Sequence, residues 1–168
     1  MPTVLITGAS RGIGRAAAIA FAKAGWDLLL VARNEPSLKS LSAELEGSNN
    51  KIHFKGVDLA DPSKVAVAMQ ELMDYGMIPS VLINNAGVAW TGDLLSMPLD
   101  SWDWIMQVNL TSIFQICSYV VPAMRTKGGL IINVSSHAAR NAFPQWGAYC
   151  VSKAALNSFT KCLASEER

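Results

Sequence analysis

The stretch Thr3-Val4-Leu5-Ile6-Thr7-Gly8-Ala9-Ser10-Arg11-Gly12-Ile13-Gly14 joins a short aliphatic run to a glycine-rich turn. The run predicts a buried strand, and the small and apolar residues at 15–24, stopped by Gly25, predict a helix. A glycine-rich turn between strand and helix lets backbone amides approach a pyrophosphate, whose charge the helix N-terminus favours. The spacing is G-x-x-x-G-x-G and not the commoner G-x-G-x-x-G, so the familiar fingerprint fails in its letter while its physics survives. The 12 glycines of this chain would supply only ~0.06 such triplets by chance, which makes an ordinary tight turn the weaker reading. Gly8, Ser10, Arg11, Gly12, Ile13 and Gly14 are therefore expected around a pyrophosphate.

Outward from that turn, strands and helices alternate. Residues 27–31 form a nearly continuous apolar run, as a strand buried on both faces requires. It ends in Ala32-Arg33-Asn34. In dinucleotide sites an acid about 20 positions beyond the glycines takes the ribose 2′-hydroxyl, whereas an arginine nearby accommodates a 2′-phosphate. Arg33 lies 19 residues past Gly14, and Arg11 reaches the same region, so NADP(H) is favoured. NAD(H) stays open because Glu35 follows, although Glu35 and Pro36 suit the first turn of the next helix. That helix, at 36–45, gives way through Gly47-Ser48-Asn49-Asn50 to a third strand at 51–57. Asp58 and Leu59 then fall at the carboxyl end of that strand, where open α/β sheets place their ligands, with Asp58 expected to accept from an adenine amino group.

Asp61-Pro62 reads as a helix cap, introducing the core stripe Val65, Met69, Leu72 and Met73. A fourth strand at 80–84 runs into Asn84-Asn85-Ala86-Gly87. Small residues there suit a backbone close to a cofactor, with the amides tying strand ends together. A long helical region from Asp100 towards Lys127 carries Trp102, Ile105, Met106, Asn109, Ile113 and Ile116 at helical spacing, with a bend expected near Pro122. Asn109 within that apolar face reads more readily as a satisfied structural amide or a kink than as a catalytic group. After a fifth strand at 130–134, Ser135 and Ser136 emerge on the same sheet edge as the glycine turn, Asp58 and Asn85-Ala86-Gly87. The pattern is α/β, a Rossmann-type doubly wound parallel sheet forming a single domain over 1–168.

Beyond the fifth strand, Gly147-Ala148-Tyr149-Cys150-Val151-Ser152-Lys153 opens a helix that sets Tyr149 and Lys153 one turn apart. A free phenol releases its proton only near ~10. An ammonium beside a phenol favours the phenolate, and a tyrosine so paired can shuttle a proton near neutrality. The pair alone is a weak signal, since any helix surface can hold a Tyr and a Lys at this spacing.

Composition narrows the alternatives. A net charge of +1 without a basic block argues against nucleic acid as the main partner. The apolar runs are short and interrupted, and the first residues lack the pattern of a secretory signal, so a cytoplasmic protein without a membrane span is expected. Cys117, Cys150 and Cys162 have neither metal-ligand nor disulfide spacing, which suits a reducing compartment and no metal site. Cys117 and Cys162 read as small buried side chains.

Taken together, Thr7-Gly8-Ala9-Ser10-Arg11-Gly12-Ile13-Gly14, Asp58, Asn84-Asn85-Ala86-Gly87, Asn109, Ser136, Tyr149 and Lys153 resemble the short-chain dehydrogenase/reductase family in order and spacing. The resemblance implies an NADP(H)-dependent oxidoreductase acting on a small-molecule ketone or secondary alcohol. Tyr149 would be the acid/base, while Lys153 favours its phenolate and binds the nicotinamide ribose. Ser136 would hold the substrate oxygen, and Asn109 would position a water. It also implies a homo-oligomer paired through the two long helices. Compared with the family, the sheet is C-terminally incomplete, ending after the Tyr149 helix without the last strands and substrate loop. A fragment of a longer enzyme or a non-catalytic dinucleotide-binding module therefore remains an alternative. Val88, Trp90, Phe143, Gln145 and Trp146 are expected to flank a pocket whose substrate the sequence does not name.

Overall fold

The computed structural model of the protein describes residues 1–45 and 49–167. The Gly47 and Ser48 of the expected turn, and Arg168, lie outside the described residues. In chain order the elements are β1 (Thr3–Thr7), α1 (Gly12–Lys23), β2 (Asp27–Ala32), α2 (Glu35–Glu44), β3 (Ile52–Gly56) and α3 (Pro62–Asp74). They continue with β4 (Val81–Asn84), α4 (Leu99–Met106), α5 (Ser112–Met124), β5 (Leu130–Asn133) and α6 (Gly147–Glu166). All strand pairings are parallel, in the order β3-β2-β1-β4-β5. This is the doubly wound α/β architecture expected from the alternation of strands and helices.

Every residue of β1 and β2 is buried, because helices cover both sheet faces. Alternate residues feed two cores. Leu5, Leu29, Val31 and Leu82 meet Val65, Met69 and Leu72 of α3 and Ile113, Ile116 and Val120 of α5. Val4, Ile6, Leu28, Leu30 and Ile83 meet Ala18 and Ala22 of α1 and Leu38 and Leu41 of α2. Each fully buried aliphatic side chain contributes about 1.5–3 kcal/mol relative to exposure, so the central strands are firmly held. The caps follow the sequence: Asn34 accepts from Ser37 N at α2, and Asp61 accepts from Ser63 N and Lys64 N at α3.

Several details differ from expectation. α1 starts at Gly12, so the second half of the glycine turn is itself the helix's first turn. Between α4 and α5 the chain departs from α geometry at Gln107–Thr111, a π-turn, whereas Pro122 lies inside α5. The inserted turn is stabilised where it forms: Ser112 Oγ donates to Val108 O and Gln107 Nε2 to Leu59 O. Together, Leu99–Met124 is long and apolar enough to cross a membrane, which the sequence reading missed; half of its most apolar window is buried within the protein. Cys162 is exposed, not buried, because it lies off the inward stripe of Ala148, Ser152 and Leu156 on α6. Cys117 is buried, and burial pushes its thiol up to about 11.

β5 stands at the sheet edge. Its Leu130 and Ile132 share one face and are 54% and 39% exposed, while Ile131 and Asn133 turn towards the core and α6. An apolar edge strand without a protecting charge is a template for association. Replacing Ile132 with Lys should therefore reduce self-association of the chain without altering its helical circular dichroism. Concentration-dependent light scattering checks this, and unchanged scattering would exonerate the edge.

Candidate active site

The sheet order reverses between β1 and β4, so the connections that leave their carboxyl ends run to opposite faces of the sheet and leave a crevice between them. Thr7 and Asn85 close the base of that crevice. Thr7 Oγ1 accepts from Asn85 N at 3.0 Å and Ala86 N at 3.1 Å, and Asn85 Nδ2 donates to Thr7 O and Gly8 O at 3.0 and 3.3 Å. The glycine turn is pressed against this clamp. Gly8 has φ +67°, and a Cβ there would lie 2.8 Å from Asn85 Nδ2. At Gly14 a Cβ would fall onto Gly8 O and Asn85 Nδ2. The first and last glycines of the motif thus serve close packing between the turn and the β4 loop.

Two clefts open from this base. The first, about 330 Å³, is lined by Gly8, Ser10, Arg11, Arg33, Asn34, Asp58, Leu59, Ala86 and Gly87, among others. Glu35 is turned away: as the first residue of α2 it accepts from Gly56 N through Oε2 at 2.9 Å. Asp58 Oδ1 accepts from Ala60 N at 3.0 Å, which holds the carboxylate at the mouth of β3. The second cleft, about 570 Å³, is lined by Tyr149 and Lys153 together with Ile13, Asn85, Gly87, Val88, Trp104, Ser135 and Trp146. Arg11, Arg33 and Gly87 border both clefts. Gly12 is an exposed turn residue with φ +55°, on the same loop.

α6 holds Tyr149 and Lys153 on one face, with the Lys153 Nζ 5.9 Å from the Tyr149 ring centroid. Only 4% of Lys153 is exposed. Its Nζ donates to Val134 O at 2.8 Å, and burial pushes the ammonium below its ordinary 10.5. Three N–H bonds with one such acceptor leave two for a ligand. Trp146 meets the Tyr149 ring edge-on, 5.6 Å between centroids. Ser136 lies at the end of β5, where its Oγ accepts from Ala138 N at 3.1 Å and caps a short 3₁₀ turn. The serine lining the cleft is its neighbour Ser135, whose buried Oγ has no partner among the described residues.

Asn109 lies wholly inside the protein, in the π-turn. Its Oδ1 accepts from Val88 N at 2.8 Å, and its Nδ2 donates to Val88 O at 2.9 Å and Ser152 Oγ at 3.0 Å. Ser152 Oγ in turn donates to Tyr149 O. These bonds tie the β4 loop to α6. Ser152 was not singled out from sequence; a serine one place before the lysine gave no signal until its partner across the fold was visible. A second amide chain, Asn84 Nδ2 to Asn133 Oδ1 and Asn133 Nδ2 to Thr160 Oγ1, links β4, β5 and α6.

A doubly wound sheet with a glycine turn at its switch point and a Tyr/Lys helix on the same crevice defines a Rossmann-type α/β protein. The chain belongs to the short-chain dehydrogenase/reductase family: the family model described as short chain dehydrogenase matches residues 2–168. It is 36% identical over 163 residues to a 3beta-hydroxysteroid dehydrogenase of Mediterraneibacter gnavus, covering 96% of this chain and 59% of that protein. A 3-oxoacyl-(acyl-carrier-protein) reductase of Chlamydia muridarum is 33% identical, with 96% and 66% covered. The chain thus spans about three fifths to two thirds of the length of these relatives. Among solved structures, an alcohol dehydrogenase from Thermococcus sibiricus complexed with 5-hydroxy-NADP superposes with TM-score 0.94 at 25% identity, covering 99% of this chain and 72% of that one. A metagenomic short-chain oxidoreductase in complex with NADP gives TM-score 0.93 at 33% identity, covering 98% and 76%.

The Lys153 environment has a thermodynamic consequence. Because its folded pKa is depressed, the unfolded chain binds more protons between that value and 10.5, and stability rises with pH across this window. The parent should therefore gain stability relative to Lys153→Met as pH climbs towards 10.5, measured by urea unfolding of both. A constant difference would show that the ammonium is not desolvated.

Proposed function

We propose that the protein is an NADP(H)-dependent oxidoreductase that moves hydride between the nicotinamide and a ketone or secondary alcohol, with Tyr149 as acid/base. The observation that carries this reading is the sharing of Arg11, Arg33 and Gly87 between the glycine-turn cleft and the Tyr149 cleft, so that one extended ligand can span both. The bound dinucleotide supplies the hydride. During reduction the carbonyl carbon takes that electron pair with its hydrogen, and the oxygen takes a proton from the Tyr149 phenol. The products are a secondary alcohol and oxidised dinucleotide, with one proton consumed from solution through Tyr149.

The remaining roles are assigned on the same reading. Gly8, Ser10, Gly12, Ile13 and Gly14 form the pyrophosphate side, and the two arginines meet the 2′-phosphate as charge-assisted donors. Asp58 accepts from the adenine amino group beside Leu59, and Asn85, Ala86 and Gly87 form the floor. Lys153 offers its two remaining N–H bonds to the ribose diol. Ser136, next to the cleft-lining Ser135, holds the substrate oxygen through its O–H, which stays free while its Oγ accepts from Ala138 N, and Asn109 is a positioning residue acting through Val88 and Ser152. Exposed Phe114 and Tyr119 on α5 and Val151 on α6 support pairing of two copies through the long helices. Three free cysteines among the described residues fit a cytoplasmic setting.

Two measurements test the reading. Tyr149→Phe should lower ketone-dependent NADPH oxidation by about 10²–10⁴-fold, the range of general acid catalysis, while NADPH affinity by fluorescence titration stays within a few-fold. A variant retaining most of its rate would place the proton elsewhere. For the cofactor, Arg33→Asp should weaken NADPH binding and raise the preference for NADH; an unmodified protein that binds NADH as well as NADPH would contradict the assignment.

A further inference from the structure

The wall of the Tyr149 cleft opposite the glycine turn is built from two loops fastened together. The loop after β4 reaches the start of α6 through Gly92 N, which donates to Gln145 O at 3.0 Å. Gln145 sits at φ 68°, a backbone region that side chains other than glycine rarely adopt. Two residues on, Gly147 leaves room for Leu94, whose Cδ1 would lie 2.7 Å from any Cβ there. Trp146 N donates to Phe143 O at 3.1 Å, closing the turn. These contacts fix the direction in which the chain enters α6, and with it the indole of Trp146.

That indole is 40% exposed, borders the cleft, and stands edge-on to Tyr149 at 5.6 Å. No carboxylate lines the cleft among the described residues, and of its cations Arg11 and Arg33 are shared with the glycine-turn side. The remaining cation, Lys153, is buried against Val134 O. Beside Tyr149 the cleft presents Trp146 and Ala89, with Trp104 and Val88 shared with the glycine-turn side, and the unpartnered Ser135 Oγ as a polar group. An aromatic wall of this kind gains from a ring laid against it, in stacked or edge-to-face contact.

We propose that Trp146 is the specificity-determining wall of the cleft and selects ketones carrying a ring beside the carbonyl, against small aliphatic ketones. The inference rests on the reading of Tyr149 as proton donor and adds the substrate class. A ring-bearing ketone, reduced dinucleotide and one proton give the ring-bearing secondary alcohol and oxidised dinucleotide. The carbonyl carbon sits by Tyr149 and the ring lies on Trp146.

The test compares acetophenone and 2-butanone as substrates of the full chain, with Trp146→Ala and Trp146→Phe alongside. Binding of acetophenone is followed independently by saturation-transfer NMR. The parent should show kcat/KM at least about tenfold higher for acetophenone than for 2-butanone, the scale on which apolar pockets discriminate. Trp146→Ala should collapse the acetophenone preference mainly through KM, and Trp146→Phe should restore most of it. Circular dichroism confirms that both variants fold. Ketone reduction with equal kcat/KM for acetophenone and 2-butanone, or a preference unchanged by Trp146→Ala, overturns the inference and leaves the oxidoreductase reading intact. Absence of any ketone reduction, with acetophenone binding that Trp146→Ala abolishes, overturns the oxidoreductase reading and supports the aromatic wall. Neither turnover nor binding overturns both.

Discussion

The contact on which the site depends is the clamp between Thr7 and Asn85. At the point where the sheet reverses its order, the β1–β4 ladder ends at Ile6 and Ile83, and the backbone groups just beyond it need other partners. One threonine hydroxyl and one asparagine amide supply those partners, accepting from Asn85 N and Ala86 N and donating to Thr7 O and Gly8 O. A crevice that would otherwise expose unpaired backbone is thereby made rigid and kept open. Gly8 and Gly14 are needed because the clamp occupies the space where side chains would stand.

The Tyr149 side of the crevice is held by a different device. Nothing in α6 alone fixes its distance from the β4 loop; Asn109 does, by binding both backbone groups of Val88 and the Ser152 hydroxyl. A buried amide with its donors fully used is stabilising, whereas removing either partner would leave an unpaired polar group inside the protein, costing about 1–3 kcal/mol. Asn109 lies in the π-turn itself, on the buried stripe that runs from Ile105 through Val108 to Ile113 and Ile116. Lys153 is anchored in the same manner, through a backbone carbonyl just beyond β5. The site is thus suspended from backbone groups at the ends of strands, not from side chains packed around it.

Cohesion is unequal across the sheet. β1 and β2 are buried on both faces, while β5 exposes Leu130 and Ile132 and is tied to its neighbours by the Asn84, Asn133 and Thr160 chain. Those polar links set the register Asn84 to Asn133, which apolar contacts alone would leave free to slip. Val134 and Ser135, which follow β5 directly, carry that register into the cleft. The position of the Lys153 anchor is therefore decided two strands away from the glycine turn.

The sequence by itself determined the order of strands and helices, because continuous apolar runs, glycine stops and capping residues such as Asn34 and Asp61 are local signals that tertiary packing did not override. It also placed Gly8, Asp58, Asn85 and Ser136 on one edge, since the carboxyl ends of parallel strands share that edge whatever the side chains. Cys162 was misplaced because composition says nothing of which helix face meets the sheet, and the π-turn was missed because inserting one residue leaves an apolar pattern almost unchanged. Only the tertiary structure decided that Glu35 turns away to Gly56, that Asn109 joins Val88 to Ser152, and that Gln145 aims Trp146 at Tyr149. The first two join residues far apart in the chain through hydrogen bonds, and the third turns on one left-handed backbone conformation; neither a distance in space nor a single φ is encoded in residue spacing.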